Sequence, residues 1–363
     1  MTAEQTPLQA TREAPPGDSG RRSLLPLLLR WESALVVLLM ATLIMGSQLS
    51  PAFMRPGNFF YMGLNFGEVA IMALPLALIV ITGEIDLSVA SILGLSGTVL
   101  AILFSHGWPI SAAIGTAILV GALAGAFNGI LVTRVGLPSL AVTIGTLTLY
   151  RGIAQIILPN TTIGDFPERL TSIGLNPIPH TQIPYSVAFF LVLTVIVGVM
   201  LHATPLGRSI FAIGANQETA FFSGIRVKRI KLALFVFSGV VCAFAGILWT
   251  LRFASARYDA GIGIELNVVT VVLLGGVSIF GGRGTIIGVV LAVCVVASLQ
   301  SALTLALVSP QTQSIVTGVL LIVSVIVPNI PGMIRRARER IQSMRARRIR
   351  RADVRLAGRE GGV

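Results

Sequence analysis

Two acids, Glu84 and Asp86, lie one residue apart between two apolar stretches, in the segment ITGEIDLSVASILGLSG. Two acids between helices commonly form a solvated turn, and that interpretation is favoured. Because both flanks are apolar, however, the carboxylates lie close to a membrane, where ionisable groups are generally paired or functional. Asp86 and Ser88 can also cap a helix that begins near Val89, since a helix N-terminus favours an acid.

Three further polar side chains lie inside apolar stretches: Arg151, Asn128 and Asn267. Arg151 precedes Leu158, the predicted outer end of its helix, and it can either snorkel outward or face a polar cavity. We favour the cavity, because a lipid-facing charge there is costly. For each Asn, an interhelical hydrogen bond is the favoured role.

No set of residues in the chain is typical of an enzyme. The sequence contains neither the phosphate-binding motif G-x-x-x-x-G-K-[ST] nor H-E-x-x-H, and His106, His180 and His202 are far apart. Cys242 and Cys294 both lie in apolar runs, which disfavours a disulfide or a metal site. We therefore predict no catalytic residue, no metal site and no cofactor, so that energy must come from a partner or an ion gradient.

The composition is that of a membrane protein. The chain is 54% hydrophobic and 12% charged, with a mean hydropathy of +0.86, whereas soluble domains are about 25% charged. Several apolar runs reach the roughly 20 residues that a spanning helix needs, and they lack the alternation of membrane strands. The predicted fold class is an all-α polytopic membrane protein. Ten helices are predicted: Ser33–Gly46, Leu64–Thr82, Val89–Phe104, Pro109–Val132, Pro138–Leu158, Ile183–His202, Leu232–Phe253, Glu265–Phe280, Thr285–Leu305 and Thr312–Val327.

The charges orient these helices. The net charge is +12, and eleven Arg lie in the tail between Arg335 and Arg359. Basic loops stay in the cytoplasm, so both termini and the basic insert Leu206–Lys231 are predicted to be cytoplasmic. Residues 1–30 are predicted to be a disordered arm, 31–330 the transmembrane domain and 331–363 a basic tail near anionic lipid. Lipid explains the basic charge better than nucleic acid does.

The insert, LGRSIFAIGANQETAFFSGIRVKRIK, is the main polar interruption. Asn216 is a predicted N-cap and Gly224 a predicted C′ residue, which leaves a helix over about Gln217–Ser223 with Glu218 in its first turn. So short a helix is marginal in water and needs packing from elsewhere. The residues alone slightly favour a loop resting on the membrane surface over a docking element for a soluble partner.

Glycine is abundant, at 38 residues, and many lie within predicted helices. Small residues let membrane helices approach closely, which is the favoured role in Gly121–Gly129. In Gly275–Gly284 close packing and a broken helix beside a transport site are equally favoured. A weak similarity between the stretches after Gly121 and after Gly284 hints at a repeat of about four helices.

Four motifs, TGEIDLSVAS, GLPSLAVTIGTLTLYRGIA, GRSIFAIGANQETAFFSGIRVKRIK and LLGGVSIFGGRGTIIG, occur in this order. Together they resemble ABC-importer permeases for monosaccharides of the ribose, xylose, rhamnose and autoinducer-2 type. The resemblance covers about Asn65–Pro328. Glu84 and Ala90 stand where ribose-type members usually have Gly, so the sugar stays open.

The resemblance implies a type II ABC-importer-like bundle in the bacterial cytoplasmic (inner) membrane. It implies cytoplasmic ATPase subunits, an extracytoplasmic sugar-binding protein and a second permease subunit, identical or homologous. It makes the insert an ATPase-coupling helix, and this shifts the interpretation from loop to docking element. The coupling candidates are Asn216, Gln217, Glu218, Thr219, Ala220, Phe221, Gly224 and Ile225.

The leading expectation is therefore a permease subunit that moves a monosaccharide or small polyol. The alternative is an ion-coupled secondary transporter with Asp86 or Arg151 in a proton relay. A relay usually needs several buried ionisable residues, and only Arg151 lies clearly within a predicted helix. An intramembrane enzyme is disfavoured by the missing catalytic residues. The translocation-path candidates are Asp86, Ser88, Asn128, Arg151 and Asn267.

Overall fold

A computed structural model describes residues 31–327. The predicted arm, residues 1–30, and the predicted tail, residues 331–363, lie outside the described part of the chain. Within it the helices are α1 Trp31–Leu49, α2 Pro56–Ile81, α3 Val89–Ser105, α4 Ile110–Ile130 (continued by a π-helical turn, Leu131–Val135), α5 Ser139–Ile157, α6 Glu168–Leu175, α7 Tyr185–Ala203, α8 Pro205–Ala215, α9 Gln217–Phe222, α10 Val227–Arg252, α11 Ile264–Leu274, α12 Ile286–Leu305 and α13 Pro310–Val327.

The all-helical polytopic prediction is confirmed. Eight of the described helices are long and apolar enough to cross a membrane, and α3 and α11 are shorter apolar helices. With 11 residues, α11 is about 16 Å long, roughly half of a bilayer's hydrocarbon core. The weak internal repeat stays a prediction.

Several predicted boundaries were wrong. Helix α2 begins at Pro56 rather than Leu64, because Pro is well suited to the first helical position. Helix α10 begins at Val227 rather than Leu232, so the basic end of the insert is already helical. Helices α6 and α8 were not predicted at all, since their apolar residues are too few to suggest a membrane span.

The glycine-rich segment after α11 breaks the helix. The predicted helix to Phe280 ends instead at Leu274, and Gly276, Gly281 and Gly282 have positive φ angles of 81, 80 and 72°. Glycine adopts this left-handed backbone without a steric penalty. The broken-helix interpretation is therefore confirmed for this segment.

Helix α2 is the buried centre of the bundle, packed against α7, α10, α11 and α12, while α10 also packs against α3 and α4. The crossing of α4 and α10 depends on glycines. A Cβ atom added at Gly125 would lie 2.2 Å from the Phe235 carbonyl oxygen, and one at Gly239 would lie 2.1 Å from the Gly121 carbonyl oxygen. This confirms the predicted packing role of the small residues in Gly121–Gly129.

Candidate coupling surface and polar path

The polar insert Leu206–Lys231 forms most of the short helix α8 and all of α9. Asn216 ends α8 and caps α9, since its Oδ1 accepts the Thr219 N–H at 2.9 Å. Gly224, just beyond α9, has a φ of +83°. Both predicted caps are confirmed, and α9 ends at Phe222, one residue short of the prediction.

The exposed face of α9 is aromatic. Ala220 is buried against Ile213 and Val227, whereas Phe221 and Phe222 are 63% and 78% exposed. Their rings contact each other edge to face, with centroids 5.7 Å apart. We call the exposed residues of α9 the coupling surface, after the role predicted for them: Gln217, Glu218, Thr219, Phe221 and Phe222.

Lys231 joins this surface to the bundle. Its Nζ lies 2.5 Å from the Glu84 carboxylate and donates to the Gln217 side-chain oxygen, also at 2.5 Å. Lys231 is 4% exposed and Glu84 17%. Sequence analysis counted Lys231 among the basic residues of a loop. This was wrong, because Lys231 is buried and lies in α10. For Glu84, the paired interpretation is confirmed over the solvated turn.

Asp86 lies at the centre of a buried polar cluster. Its Oδ1 accepts the backbone N–H of Ser88 at 2.9 Å and the Ser88 hydroxyl at 2.6 Å, and its Oδ2 accepts the Ser238 hydroxyl at 3.4 Å. Asn128 donates to the Ser88 hydroxyl at 2.8 Å and accepts from Tyr150 at 3.2 Å. The solvated-turn interpretation was wrong for Asp86, which is fully buried. The cluster joins α3, α4, α5 and α10, and three predicted path residues meet in it.

Ser88 occupies the N-cap position of α3, but its side chain makes no capping bond. The Asp86 carboxylate accepts the Ser88 N–H instead. The structure therefore assigns the predicted capping interaction at this end of α3 to Asp86.

The other two path candidates lie apart from this cluster. The Arg151 guanidinium donates to the carbonyls of Ala90, Tyr258 and Ala260, so it holds the loop after α10 against α3. Asn267 accepts from Gln300 at 3.1 Å, an interhelical bond between α11 and α12 as predicted. The roles of both residues in a translocation path stay predictions.

A second buried ion pair was missed by sequence analysis. Arg252 Nε donates to Glu68 Oε1 at 2.9 Å, and the two residues are 8% and 1% exposed. Both residues lie within predicted helices. The statement that Arg151 is the only ionisable residue clearly within a predicted helix was therefore wrong. Opposite charges in two apolar runs were the available signal. Among the described residues, no group of three or more His, Cys, Asp or Glu side chains can hold a metal ion.

Known proteins resemble this chain over most of its length. The family model described as "Branched-chain amino acid transport system / permease component" matches residues 58–325. The autoinducer 2 import system permease protein LsrD of Klebsiella pneumoniae is 33% identical over 303 residues, which are 82% of this chain and 91% of the relative. LsrD of Escherichia coli K12 is 34% identical over 302 residues, with the same coverage. No solved structure matches.

The relatives are permease subunits, and the described helices are long and apolar enough for repeated membrane crossing. Both observations indicate a multi-pass inner-membrane protein with a transport role rather than a catalytic one. The chain belongs to the permease family of ABC importers that its motifs resemble.

Proposed function

We propose that this chain is the membrane subunit of an ATP-driven importer for a monosaccharide or a related small polyol. The similar LsrD proteins are named for autoinducer 2 import, and the path candidates Asp86, Ser88 and Asn128 lie together in a buried hydrogen-bonded cluster. An extracytoplasmic binding protein delivers the ligand, and a second permease subunit, identical or homologous, completes the path.

The observation that carries the proposal is the bridge from the coupling surface to the polar cluster. A cytoplasmic ATPase contacts Phe221 and Phe222, and ATP-driven movement of α9 pulls on Gln217. Lys231 transmits this movement to Glu84, two residues from Asp86. ATP hydrolysis in the ATPase thereby changes, through α9, the surroundings of the buried carboxylate.

This function requires α8 and α9 to be cytoplasmic, together with both chain termini. With Lys231 paired inside the bundle, the insert still exposes Arg226, Lys228 and Arg229. These exposed cations continue to support a cytoplasmic insert by the positive-inside rule.

The test is association with the ATPase subunit. Phe221→Ala is expected to weaken co-purification of the ATPase about 10- to 30-fold, because buried aromatic anchors dominate protein interfaces, and Glu218→Lys is expected to lower autoinducer 2 uptake. Phe127→Ala is the matched control, since Phe127 is also exposed, at 45%, but on the spanning helix α4. Normal assembly and uptake in Phe221→Ala and Glu218→Lys would remove the coupling role.

A separate measurement tests the energy source. The chain reconstituted alone in proteoliposomes is expected to show no uptake under a proton or sodium gradient. Gradient-driven uptake without an ATPase would establish the secondary transporter instead.

A further inference from the structure

We infer that the outer ends of α2, α12 and α13 form a binding subsite for an uncharged polyhydroxylated ligand. This deepens the proposed function and rests on it for the identity of the cargo. A cavity of about 310 Å³ lies between these three helices. Pockets for small molecules begin at about this size. Its polar lining residues are Asn58, Tyr61, Asn65, Gln300, Ser301, Thr304 and Gln313, and we call it the outer amide cavity.

The lining has the chemistry of a hydroxyl-binding site. Four of these side chains are carboxamides, and each carboxamide carries both donors and an acceptor. No lining side chain within the described range is charged. A charged ligand would lack a counter-charge on these walls, whereas a sugar hydroxyl both donates and accepts.

Part of this hydrogen-bonding capacity is used inside the protein. Ser301 donates to Asn58 Oδ1 at 2.9 Å, and Asn58 donates to the Phe53 carbonyl at 2.9 Å. The Asn65 oxygen accepts from Arg252 and the Gln300 nitrogen donates to Asn267. In the described structure this leaves the Asn65 NH₂ group and the Gln300 carbonyl oxygen without a protein partner, so the cavity offers both a donor and an acceptor.

Helix-to-helix hydrogen bonding explains only some of these residues. It accounts for Asn58 with Ser301 and for Asn267 with Gln300, as is common between membrane helices. For Asn65 it accounts only for the oxygen, which accepts from Arg252 of α10, and not for the NH₂ group, although Asn65 is exposed well inside the apolar helix α2. Polar groups at such positions are costly and generally serve a cavity or a path.

Arg252 positions Asn65 for this role. Arg252 is fixed by the Glu68 carboxylate and packs over the rings of Trp249 and Phe253, 4.9 and 4.4 Å from their centroids. Its Nη1 then donates to Asn65 Oδ1 at 3.1 Å, which fixes the acceptor end of the amide and leaves its donor end for a ligand. Such a preorganised side chain loses little entropy when a ligand binds.

The test is protection of a cysteine in the cavity. Ser301→Cys is placed in a Cys294→Ala background, because Cys294 is exposed and Cys242 is buried. A membrane-impermeant thiol reagent is applied from outside to cells that express the complete transporter. We expect the reagent to label Ser301→Cys, and autoinducer 2 or D-ribose to slow the labelling several-fold, whereas leucine and inorganic phosphate do not. Ser309→Cys, at the exposed turn before α13, is the matched control and is expected to be labelled at a rate independent of sugar.

A second variant tests the amide itself. Adding Gln300→Leu is expected to raise the sugar concentration for half-maximal protection about 10-fold, the effect of one lost hydrogen bond. Absent labelling from outside, equal labelling with and without sugar, or equal protection by leucine would each overturn the subsite.

Protection needs neither ATP nor the ATPase, so the two proposals fail separately. Intact ATP-driven uptake without protection would remove the subsite alone. Protection together with gradient-driven uptake by the isolated chain would remove the ATPase role alone.

Discussion

Two ion pairs tie α10 to α2 and to the loop that follows α2, and they differ in their surroundings. We call Glu68–Arg252 the outer pair and Glu84–Lys231 the inner pair, after the orientation proposed above. At the outer end Arg252 contacts Glu68, which is 1% exposed, and two aromatic rings cover the guanidinium. At the inner end Lys231 contacts Glu84, which is 17% exposed, and also a side chain of α9. The outer pair is enclosed by the bundle, whereas the inner pair extends to a surface helix.

From this difference we expect the outer pair to be fixed and the inner pair to be movable. Helix α9 has six residues, too few for stability in isolation, so its contacts with the bundle hold it in place. A partner that moves α9 can change the inner pair at modest cost. The outer pair has no such exposed element, and it ties the last residue of α10 to the middle of α2.

Breaking the outer pair is expected to have the largest effect. Arg252→Met leaves the Glu68 carboxylate buried without its cation, and removal of one partner from a buried pair typically costs about 3–5 kcal/mol. We expect a low yield of folded protein and a clearly lower Tm in detergent.

The control is the double variant Glu68→Gln with Arg252→Met, which removes both charges and is expected to recover much of the Tm. A single variant as stable as the parent would show that the outer pair does not fix these helices.

Breaking the inner pair is expected to affect transport more than folding. In Lys231→Met, the partly exposed Glu84 can still reach water, so the loss of stability is smaller than for Arg252→Met. Uptake is expected to fall at least about 10-fold, because Lys231 links α9 to Glu84, while the ATPase still co-purifies. The measurement, which rests on the proposed function, is sugar uptake compared with retention of the ATPase.

Lys228→Met is the matched control for the inner pair, since Lys228 is exposed one turn earlier on α10. Equal uptake by Lys231→Met and Lys228→Met would contradict a movable inner end. Loss of the ATPase from Lys231→Met would assign Lys231 to docking instead.

At the inner end, the local features were predictable from sequence and the long-range contact was not. The caps of α9 were predictable, because Asn216 and Gly224 act on residues within one turn. The partner of Lys231 was not, since Glu84 lies 147 positions away and the positive-inside rule counts charges without regard to their contacts.

The outer pair was hidden for a different reason. One charge hardly lowers the hydropathy of a long apolar run, so Glu68 and Arg252 did not stand out within their predicted helices. The amide cavity depends on the approach of α2, α12 and α13, which no local pattern encodes. Spans and caps are local properties, whereas the pairs and the cavity arise from long-range packing.

The exposed pair Arg257–Asp259 provides the smallest expected effect and a test of what burial contributes. Arg257 donates two hydrogen bonds to the Asp259 carboxylate, at 2.8 and 2.7 Å, and these hold the pKa of Asp259 below its ordinary value of 3.8. A depressed carboxyl pKa stabilises the folded protein above the unfolded pKa, and this stabilisation is lost as the pH falls through the folded pKa. Water screens this pair, so the contribution is small.

Asp259→Asn is therefore expected to lower the Tm slightly at about pH 7, and by progressively less as the pH falls below the ordinary Asp259 pKa of 3.8. The measurement is the difference in Tm between the variant and the parent across this range. Because Asp259 and Arg257 are largely in water, the difference should also shrink at high salt, whereas the effect of Arg252→Met should not. A salt-insensitive loss at Asp259 as large as that at Arg252 would show that burial does not set the strength of these pairs.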